Sequence, residues 1–350
     1  MVAKAKGFLT KHATSFLFVG ALVLVAILGT RIVPDPVQSD PMDLQPSDPT
    51  QINRLARNPW ILHVDSYHEG YPWSDGIAAS IRQELDRAGV ESKRITLDTK
   101  RNPDLAFLRQ AGVKAKRFIE EFKPDVVITS DDNAFAHVIM PYFRDTDLPV
   151  VFCGLNWDAS IYDAPYRNTT GMIEVALIPQ LLEYLTQYAH GSRIGYVAAD
   201  VVTAHKEGYH YQERFGISLT ERYVTTLDQW CEAFIEIQNH VDILIVGNIA
   251  GINDWDNTVA LNCVHQHTQV PTGSIYSFLM PYSMIGLIKL EEEQGQWAAE
   301  TALRIVRGAS PADIAIVQNQ EGMLMLNLSI ADELSITFTP SMLRNAKIIN

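Results

Sequence analysis

Residues 124–157 read PDVVITSDDNAFAHVIMPYFRDTDLPVVFCGLNW, and their pattern indicates the fold class. Residues 125–129 are a short apolar, β-branched run, which is typical of a strand covered on both faces of a sheet. Residues 134–143 predict a helix, and residues 150–153 form a second apolar run that ends in Gly-Leu-Asn-Trp. The order strand, loop, helix, strand is the repeating unit of a parallel sheet.

Polar side chains follow both predicted strands of this unit. Residues 130–133 (Ser-Asp-Asp-Asn) come after the first strand, and Asn156 and Trp157 come after the second. In open parallel sheets, ligands bind outside the carboxyl ends of the strands. We therefore expect these two groups to lie side by side at one edge of a cleft.

The same alternation extends in both directions along the chain. Strands and helices are predicted over residues 60–65, 75–88, 92–97 and 104–122 before the stretch, and over residues 178–188, 193–198, 203–215, 227–238, 241–246, 257–267 and 291–307 after it. One α/β unit is thus followed by another of the same kind. The prediction is an α/β protein with two lobes, each a doubly wound parallel sheet: residues 58–160, residues 161–275, and residues 276–350 returning to complete both, with hinges near residues 157–171 and 271–281.

The N-terminal 33 residues predict a signal peptide or a membrane anchor. Lys4, Lys6 and Lys11 precede an uncharged apolar run over residues 13–30, whose length does not separate the two interpretations. The positive flank places the rest of the chain outside the cytoplasm, at the periplasmic side of an inner membrane if the helix is retained. Residues 34–57, rich in Pro and Asp at their start, are expected to be an extended tether.

Composition excludes several classes of function. The formal net charge of −13 argues against a nucleic-acid partner. Cys153, Cys231 and Cys263 have no metal-ligand spacing, and their apolar surroundings and odd number predict buried free thiols. No metal and no cofactor is expected. The sequence lacks the G-x-S-x-G and H-E-x-x-H motifs, so no catalytic residue is assigned.

The loop after the first strand supplies candidate ligand-binding residues. Ser66, Tyr67, His68 and Trp73 lie in it, and aromatic rings at the lip of a cleft can stack on a flat or cationic ligand. The alternative is local packing against the helix that follows, with Trp73 the most structural member.

The pair Asp131 and Asp132, with Ser130 before it, allows three interpretations. The carboxylates could bind an amine, could perform acid–base chemistry, or could cap the helix. No nucleophile or metal cluster accompanies them, so amine binding is favoured over catalysis. Asn156 can donate to and accept from a carboxylate or amide, and Trp157 is either a ligand contact or a surface residue of a turn.

In the second lobe, a further strand is predicted over residues 271–276. Asp200, Asn248, Trp255 and Tyr276 lie at or after the ends of predicted strands and complete the candidate ligand-binding set. Tyr276 could close the cleft or belong to the core. Gly247 and Gly251 flank Asn248 without forming a phosphate-binding fingerprint.

Five stretches resemble the substrate-binding proteins of ABC transporters of the tryptophan/tyrosine-binding type. They are residues 61–77 (ILHVDSYHEGYPWSDGI), 124–135, 148–158, 170–185 and 326–349 (LNLSIADELSITFTPSMLRNAKII). The resemblance implies the type I periplasmic binding fold, with a small molecule held between the lobes. The same module looks like the sensor domain of some membrane histidine kinases.

The predicted function is therefore non-enzymatic capture of an amino-acid-like solute or related metabolite outside the cytoplasm. Presentation to an ABC permease is the first hypothesis, and sensing together with a membrane sensor kinase is the alternative. The N-terminal helix would link the protein to the membrane if it is retained.

Overall fold

A computed structural model describes residues 58–349, which fold into two sheets flanked by helices. The strands are β1 (Trp60–Asp65), β2 (Glu91–Thr96), β3 (Val126–Ser130), β4 (Val150–Asn156), β5 (Thr169–Glu174), β6 (Ile194–Ala199), β7 (Leu219–Val224), β8 (Ile243–Val246), β9 (Thr272–Ser274), β10 (Ile285–Lys289), β11 (Val317–Gln318), β12 (Gly322–Asn327) and β13 (Lys347–Ile349).

The helices lie between these strands. They are α1 (Pro72–Arg87), α2 (Leu105–Phe122), α3 (Asp131–Ala134), α4 (Met140–Tyr142), α5 (Ile178–Leu185), α6 (Val202–Phe215), α7 (Leu227–Ile237), α8 (Asn257–His267), α9 (Glu291–Val306), α10 (Leu328–Glu333) and α11 (Pro340–Asn345). A π-helical turn, Phe135–Ile139, joins α3 to α4, and short 3₁₀ turns span Ala159–Tyr162, Ser277–Tyr282 and Pro311–Asp313.

The first sheet has six parallel strands in the order β11-β5-β4-β3-β1-β2. Its central strands β1, β3 and β4 are buried on both faces because helices cover both. Leu62 and Val127 pack towards α2 and the π-helical turn, while Ile61 and Ile128 pack towards α1 and α9. This double burial explains why β1 and β3 are continuous apolar runs.

The second sheet has seven strands in the order β13-β12-β10-β9-β8-β6-β7. Only the pair of β10 with β12 is antiparallel among the described strands. Its core contains Tyr196, Trp230 and Phe234, which are fully enclosed. The α/β architecture with two mostly parallel sheets confirms the predicted fold class.

The chain passes between the two sheets three times. It leaves the first sheet after β5, returns after β10 through α9, and leaves again between β11 and β12. The crossings therefore fall at residues 175–177, at Leu290 and at residues 319–321. The predicted hinges near residues 157–171 and 271–281 both lie too early, and so does the predicted lobe boundary at residue 160, because β5 pairs with β4 in the first sheet.

Helix α9 belongs to the first lobe although it follows a strand of the second. It packs along α1 and against β4, so closely that a Cβ on Gly295 would lie 2.4 Å from the carbonyl oxygen of Ile77. The residues after 276 therefore contribute to both sheets and their helices.

The predicted free thiols are wrong for two of the three cysteines. Cys231 of α7 and Cys263 of α8 form a disulfide with their Cα atoms 6.1 Å apart, and Cys153 alone is a buried free cysteine. The two helices pack side by side, which brings together thiols that lie 32 residues apart in the sequence. An odd total number of cysteines leaves room for one such pair.

The predicted signal or anchor over residues 1–33 and most of the tether over residues 34–57 lie outside the described residues. Within residues 58–349, no helix combines the length and the apolar character that are needed to cross a membrane.

Candidate functional site

A cavity of about 730 Å³ lies between the two lobes. The first lobe lines it with Asp132, Asn156, Trp157, Tyr162 and Glu174, and the second lobe with Lys206, Glu207, Tyr209, His210 and Tyr276. Lys289, at the end of β10, completes the floor. Several of these residues end or follow parallel strands, which is where α/β sheets bind ligands. A groove of about 690 Å³ on the outer side of α1 is formed by the first lobe alone and lacks this placement.

Asp132 is the polar centre of the first lobe's wall. Its carboxylate accepts hydrogen bonds from the Asn156 backbone N–H (3.2 Å), the Asn156 side-chain amide (2.5 Å) and the Tyr162 hydroxyl (2.9 Å). Burial, followed by the nearby Asp132 charge, raises the pKa of Tyr162, which keeps that hydroxyl a donor. These bonds fix the position of the carboxylate in the cavity wall.

Asp131 lies behind Asp132 and is almost fully enclosed, with 3% of its surface exposed. Its backbone adopts a left-handed conformation (φ 63°), and its Oδ2 atom has no hydrogen-bond partner among the described residues. Burial raises the pKa of Asp131, and the charges of Glu174, Asp65 and Asp132 raise it further. Burying a carboxyl oxygen without a hydrogen-bond partner costs folding free energy, so such an atom in a folded protein needs an explanation.

Glu174 and Lys289 form an ion pair on the cleft floor. Glu174 ends β5 of the first sheet and Lys289 ends β10 of the second, so the pair joins the two lobes beside two of the crossings. The Lys289 ammonium also lies 5.2 Å from the centre of the Trp73 ring.

The second lobe contributes a buried carboxylate, Glu207 of α6. It accepts hydrogen bonds from the hydroxyls of Tyr196 (3.1 Å) and Tyr276. Burial raises the pKa of Glu207, while the two tyrosine hydroxyls oppose the rise. Burial and then the Glu207 charge raise the pKa of Tyr276, so both tyrosines remain donors.

Trp157 connects the lobes at one side of the cleft. Its ring stacks on His210 of α6, with the ring centres 4.5 Å apart and the planes 9° from parallel. Arg214 donates one hydrogen bond to the Trp157 carbonyl oxygen (2.9 Å) and another to Gln318 (2.8 Å). Burial and the Arg214 charge lower the pKa of His210, which favours the neutral ring.

Four of the residues predicted from sequence, Asp132, Asn156, Trp157 and Tyr276, therefore line this cavity together. Tyr67 and Trp73 lie close behind them. Burial raises the pKa of the Tyr67 hydroxyl, and the charges of Asp131, Asp132 and Glu174 raise it further. The Tyr67 ring also stands under the ammonium of Lys100, 5.0 Å away.

Ser66, Ser130 and His68 have internal roles instead. The Ser66 hydroxyl donates to the Ser130 carbonyl oxygen (2.6 Å) and accepts from the Ala134 N–H (2.7 Å), which ties the start of α3 to β1. The Ser130 hydroxyl is bound to His63 (2.9 Å), and His68 lies 3.6 Å from Asp98.

The structure does not bring Asp200, Asn248 or Trp255 to the cavity. Asp200 is exposed and pairs with His205 (2.7 Å). The Asn248 side chain accepts from the Ala250 N–H within its own loop. Trp255 packs edge-on against Trp230, with ring centres 5.0 Å apart, in the core of the second lobe.

Sequence reasoning missed Glu174, Glu207 and Lys289. Glu207 lies in the middle of α6, where its neighbours give no sign of burial. Glu174 and Lys289 end the strands β5 and β10, whose sequences do not predict strands. The polar residues at the ends of these two strands are therefore not recognised as candidates. Within residues 58–349, no group of three His, Cys, Asp or Glu side chains is arranged to hold a metal ion.

Comparison with known proteins gives a family. The family model described as ABC transporter substrate binding protein matches residues 74–349. A ligand-free, open substrate-binding protein with adhesive properties from Clostridium difficile is similar at 15% identity and a TM-score of 0.62, over 83% of this chain and 99% of that one. No curated protein sequence matches.

Two further solved structures share the fold. An ABC domain from Streptococcus pneumonia in complex with L-Trp has 18% identity and a TM-score of 0.51, over 83% of this chain and 99% of that one. A periplasmic ribose ABC transporter protein from Conexibacter woesei has 12% identity and a TM-score of 0.51, with the same coverage. At these identities the likeness shows the fold alone.

Proposed function

Because the chain belongs to the family of ABC transporter substrate-binding proteins, we propose that it captures a small molecule carrying an amino group and a flat or apolar part, and presents it to an ABC permease. The observation that carries this proposal is the cavity between the lobes, which is lined by carboxylates and aromatic rings from both sides. Binding proteins of this architecture need no chemistry beyond recognition and closure.

The charges at the cleft favour an amine. Asp132 and Glu174 of the first lobe and Glu207 of the second line the cavity, and Asp131 is buried behind Asp132. Lys289 pairs with Glu174. An ammonium group of a ligand would add a charged donor to this set of carboxyl groups. One structurally similar protein is bound to L-Trp and another is described as a ribose transporter, so the amine preference rests on the carboxyl groups of this cleft.

Aromatic rings at the same place suit the rest of such a ligand. Trp157 of the first lobe and Tyr276 of the second both line the cavity. Their rings can bury apolar area of a ligand at low entropic cost. A ligand that touches both lobes would stabilise the closed arrangement, because only that arrangement satisfies both sets of contacts.

The disulfide between Cys231 and Cys263 supports an extracytoplasmic location. Disulfides persist in oxidising compartments and are rare in the cytosol. This agrees with the predicted export segment at the N-terminus. A permease is favoured over a sensor kinase as the partner because the matching family is defined by ABC transporters.

A thermal-shift screen of the purified protein against amino acids, amines, purines and sugars tests the proposal. A ligand present at about 100 times its Kd adds about 2.7 kcal/mol of stability. We expect stabilisation by compounds that combine an amine with a flat group, and loss of that shift in Asp132→Ala. Stabilisation by sugars or purines without amines would contradict the proposed ligand class.

A further inference from the structure

The ammonium of Lys289 occupies a position built for a cation. It pairs with the Glu174 carboxylate, whose side chain is only 7% exposed, and it faces the Trp73 ring at 5.2 Å. A carboxylate together with an aromatic face is the combination with which proteins hold organic ammonium groups. Here a side chain of the protein itself fills it, inside the cavity proposed for the ligand.

Several carboxyl groups surround Lys289. Asp131, Asp132 and Glu174 lie close enough to influence one another or the same Tyr67 hydroxyl, and Lys289 is the cation that acts on Asp131. The neighbouring Asp65 already has a partner, because Arg94 binds it at 2.6 Å.

Within this group, only one buried side-chain oxygen of the described residues lacks a partner, the Oδ2 atom of Asp131. Glu174 is bound by Lys289, and Asp132 accepts from Asn156 and Tyr162. The Oδ2 atom of Asp131 is thus the buried acceptor of this group that a further donor would satisfy.

We propose that Lys289 determines the charge of the ligand. Lys289 supplies the cation for Glu174, so the ligand brings a single ammonium group, which binds on the side of the cavity formed by Asp131 and Asp132. This inference rests on the proposed function of the cleft. Compounds with a second ammonium group are rejected because the second acidic position is already taken. Lys289 is therefore a specificity-determining residue, at the strand end where the chain crosses between lobes.

The first test removes the Lys289 ammonium and offers a small one in solution. Lys289→Ala leaves Glu174 buried beside an empty space the size of an alkylammonium ion. We expect ethylammonium chloride to raise the melting temperature of Lys289→Ala relative to an equal concentration of potassium chloride. Wild type and the matched control Lys206→Ala, which removes an exposed lysine of the same cleft, should show no such difference. Equal effects of the two salts on Lys289→Ala would overturn the proposal.

The second test uses L-norleucine and L-lysine, which differ in the terminal ammonium. Wild type should bind norleucine more tightly, and Lys289→Gln, which preserves most of the side chain's volume, should shift the affinity ratio towards lysine by about tenfold, because an unpaired buried carboxylate is costly. An unchanged ratio would contradict the proposal.

The two tests separate this inference from the proposed function. If neither amino acid binds wild type or Lys289→Gln while ethylammonium still stabilises Lys289→Ala, the amino-acid ligand class fails and the assignment of a cation position to Lys289 stands.

Discussion

His63 is a buried ionisable residue whose protonation opposes folding. Its ring lies within β1 and is hydrogen-bonded to the Ser130 hydroxyl at 2.9 Å, and burial lowers its pKa from 6.5 to about 4. The unfolded chain therefore binds a proton between pH 6.5 and 4 that the folded protein does not, so stability falls as the pH falls through this range.

Replacing His63 by Gln should remove this dependence. Between pH 7 and 4.5, wild type should lose about 2.5 kcal/mol more unfolding free energy than His63→Gln, as follows from a pKa difference of this size. Urea unfolding at both pH values measures it. His190→Gln, at an exposed position, should keep the wild-type dependence; a His63→Gln profile parallel to that of wild type would show that His63 is not the group responsible.

Single residues also show how far sequence predicts a site. Asp132, Asn156 and Trp157 reach the cleft because β3 and β4 are adjacent and parallel, so their carboxyl ends meet. Asp200 also follows a strand, yet its side chain turns to the exposed His205. The end of a strand fixes the position of the backbone of the residue that follows it. Local hydrogen bonds then determine the direction of that residue's side chain.

At the scale of elements, the disulfide joins two helices of the second lobe. It closes a segment of 32 residues between α7 and α8, and a cross-link of this span stabilises by about 3–4 kcal/mol in the chain-entropy description. Spacing alone could not reveal it, because the pairing depends on how α7 packs against β6 and β7 and how α8 packs against α7.

We expect Cys231→Ser combined with Cys263→Ser to lower the free energy of unfolding by about 3–4 kcal/mol. Cys153→Ser serves as the comparison for loss of an unbridged thiol. Alkylation of the unfolded, unreduced wild type should modify Cys153 alone; modification of all three cysteines would show that the bridge is absent.

Strands differed in how well they could be predicted. β1 matches its prediction because it is a plain apolar run covered on both faces. β5 reads Thr-Thr-Gly-Met-Ile-Glu and β10 reads Ile-Gly-Leu-Ile-Lys. Polar and glycine residues interrupt the apolar pattern from which a strand would be predicted. Each of the two is an interior strand of its sheet, with β5 between β4 and β11 and β10 between β9 and β12. Missing them displaced the hinges and concealed Glu174 and Lys289.

At the scale of the whole molecule, residues at the proposed ligand cleft also connect the two lobes. The Glu174–Lys289 pair lies beside two crossings, and Trp157 with His210 and Arg214 bridges the lobes at the cleft. A ligand that binds Asp132 and Tyr276 together therefore contacts both lobes at once. Such contacts are what allow binding energy to select one lobe arrangement.

Calorimetric titration of the most stabilising amino compound from the screen tests the central claim, that one ligand is bound by both lobes. We predict that Asp132→Ala in the first lobe and Tyr276→Ala in the second each raise Kd by at least about tenfold, equal to about 1.4 kcal/mol. Asp200→Asn, outside the cavity, should leave Kd within about twofold of wild type, since it removes no ligand contact. An unchanged Kd in either cleft variant would contradict binding between the lobes.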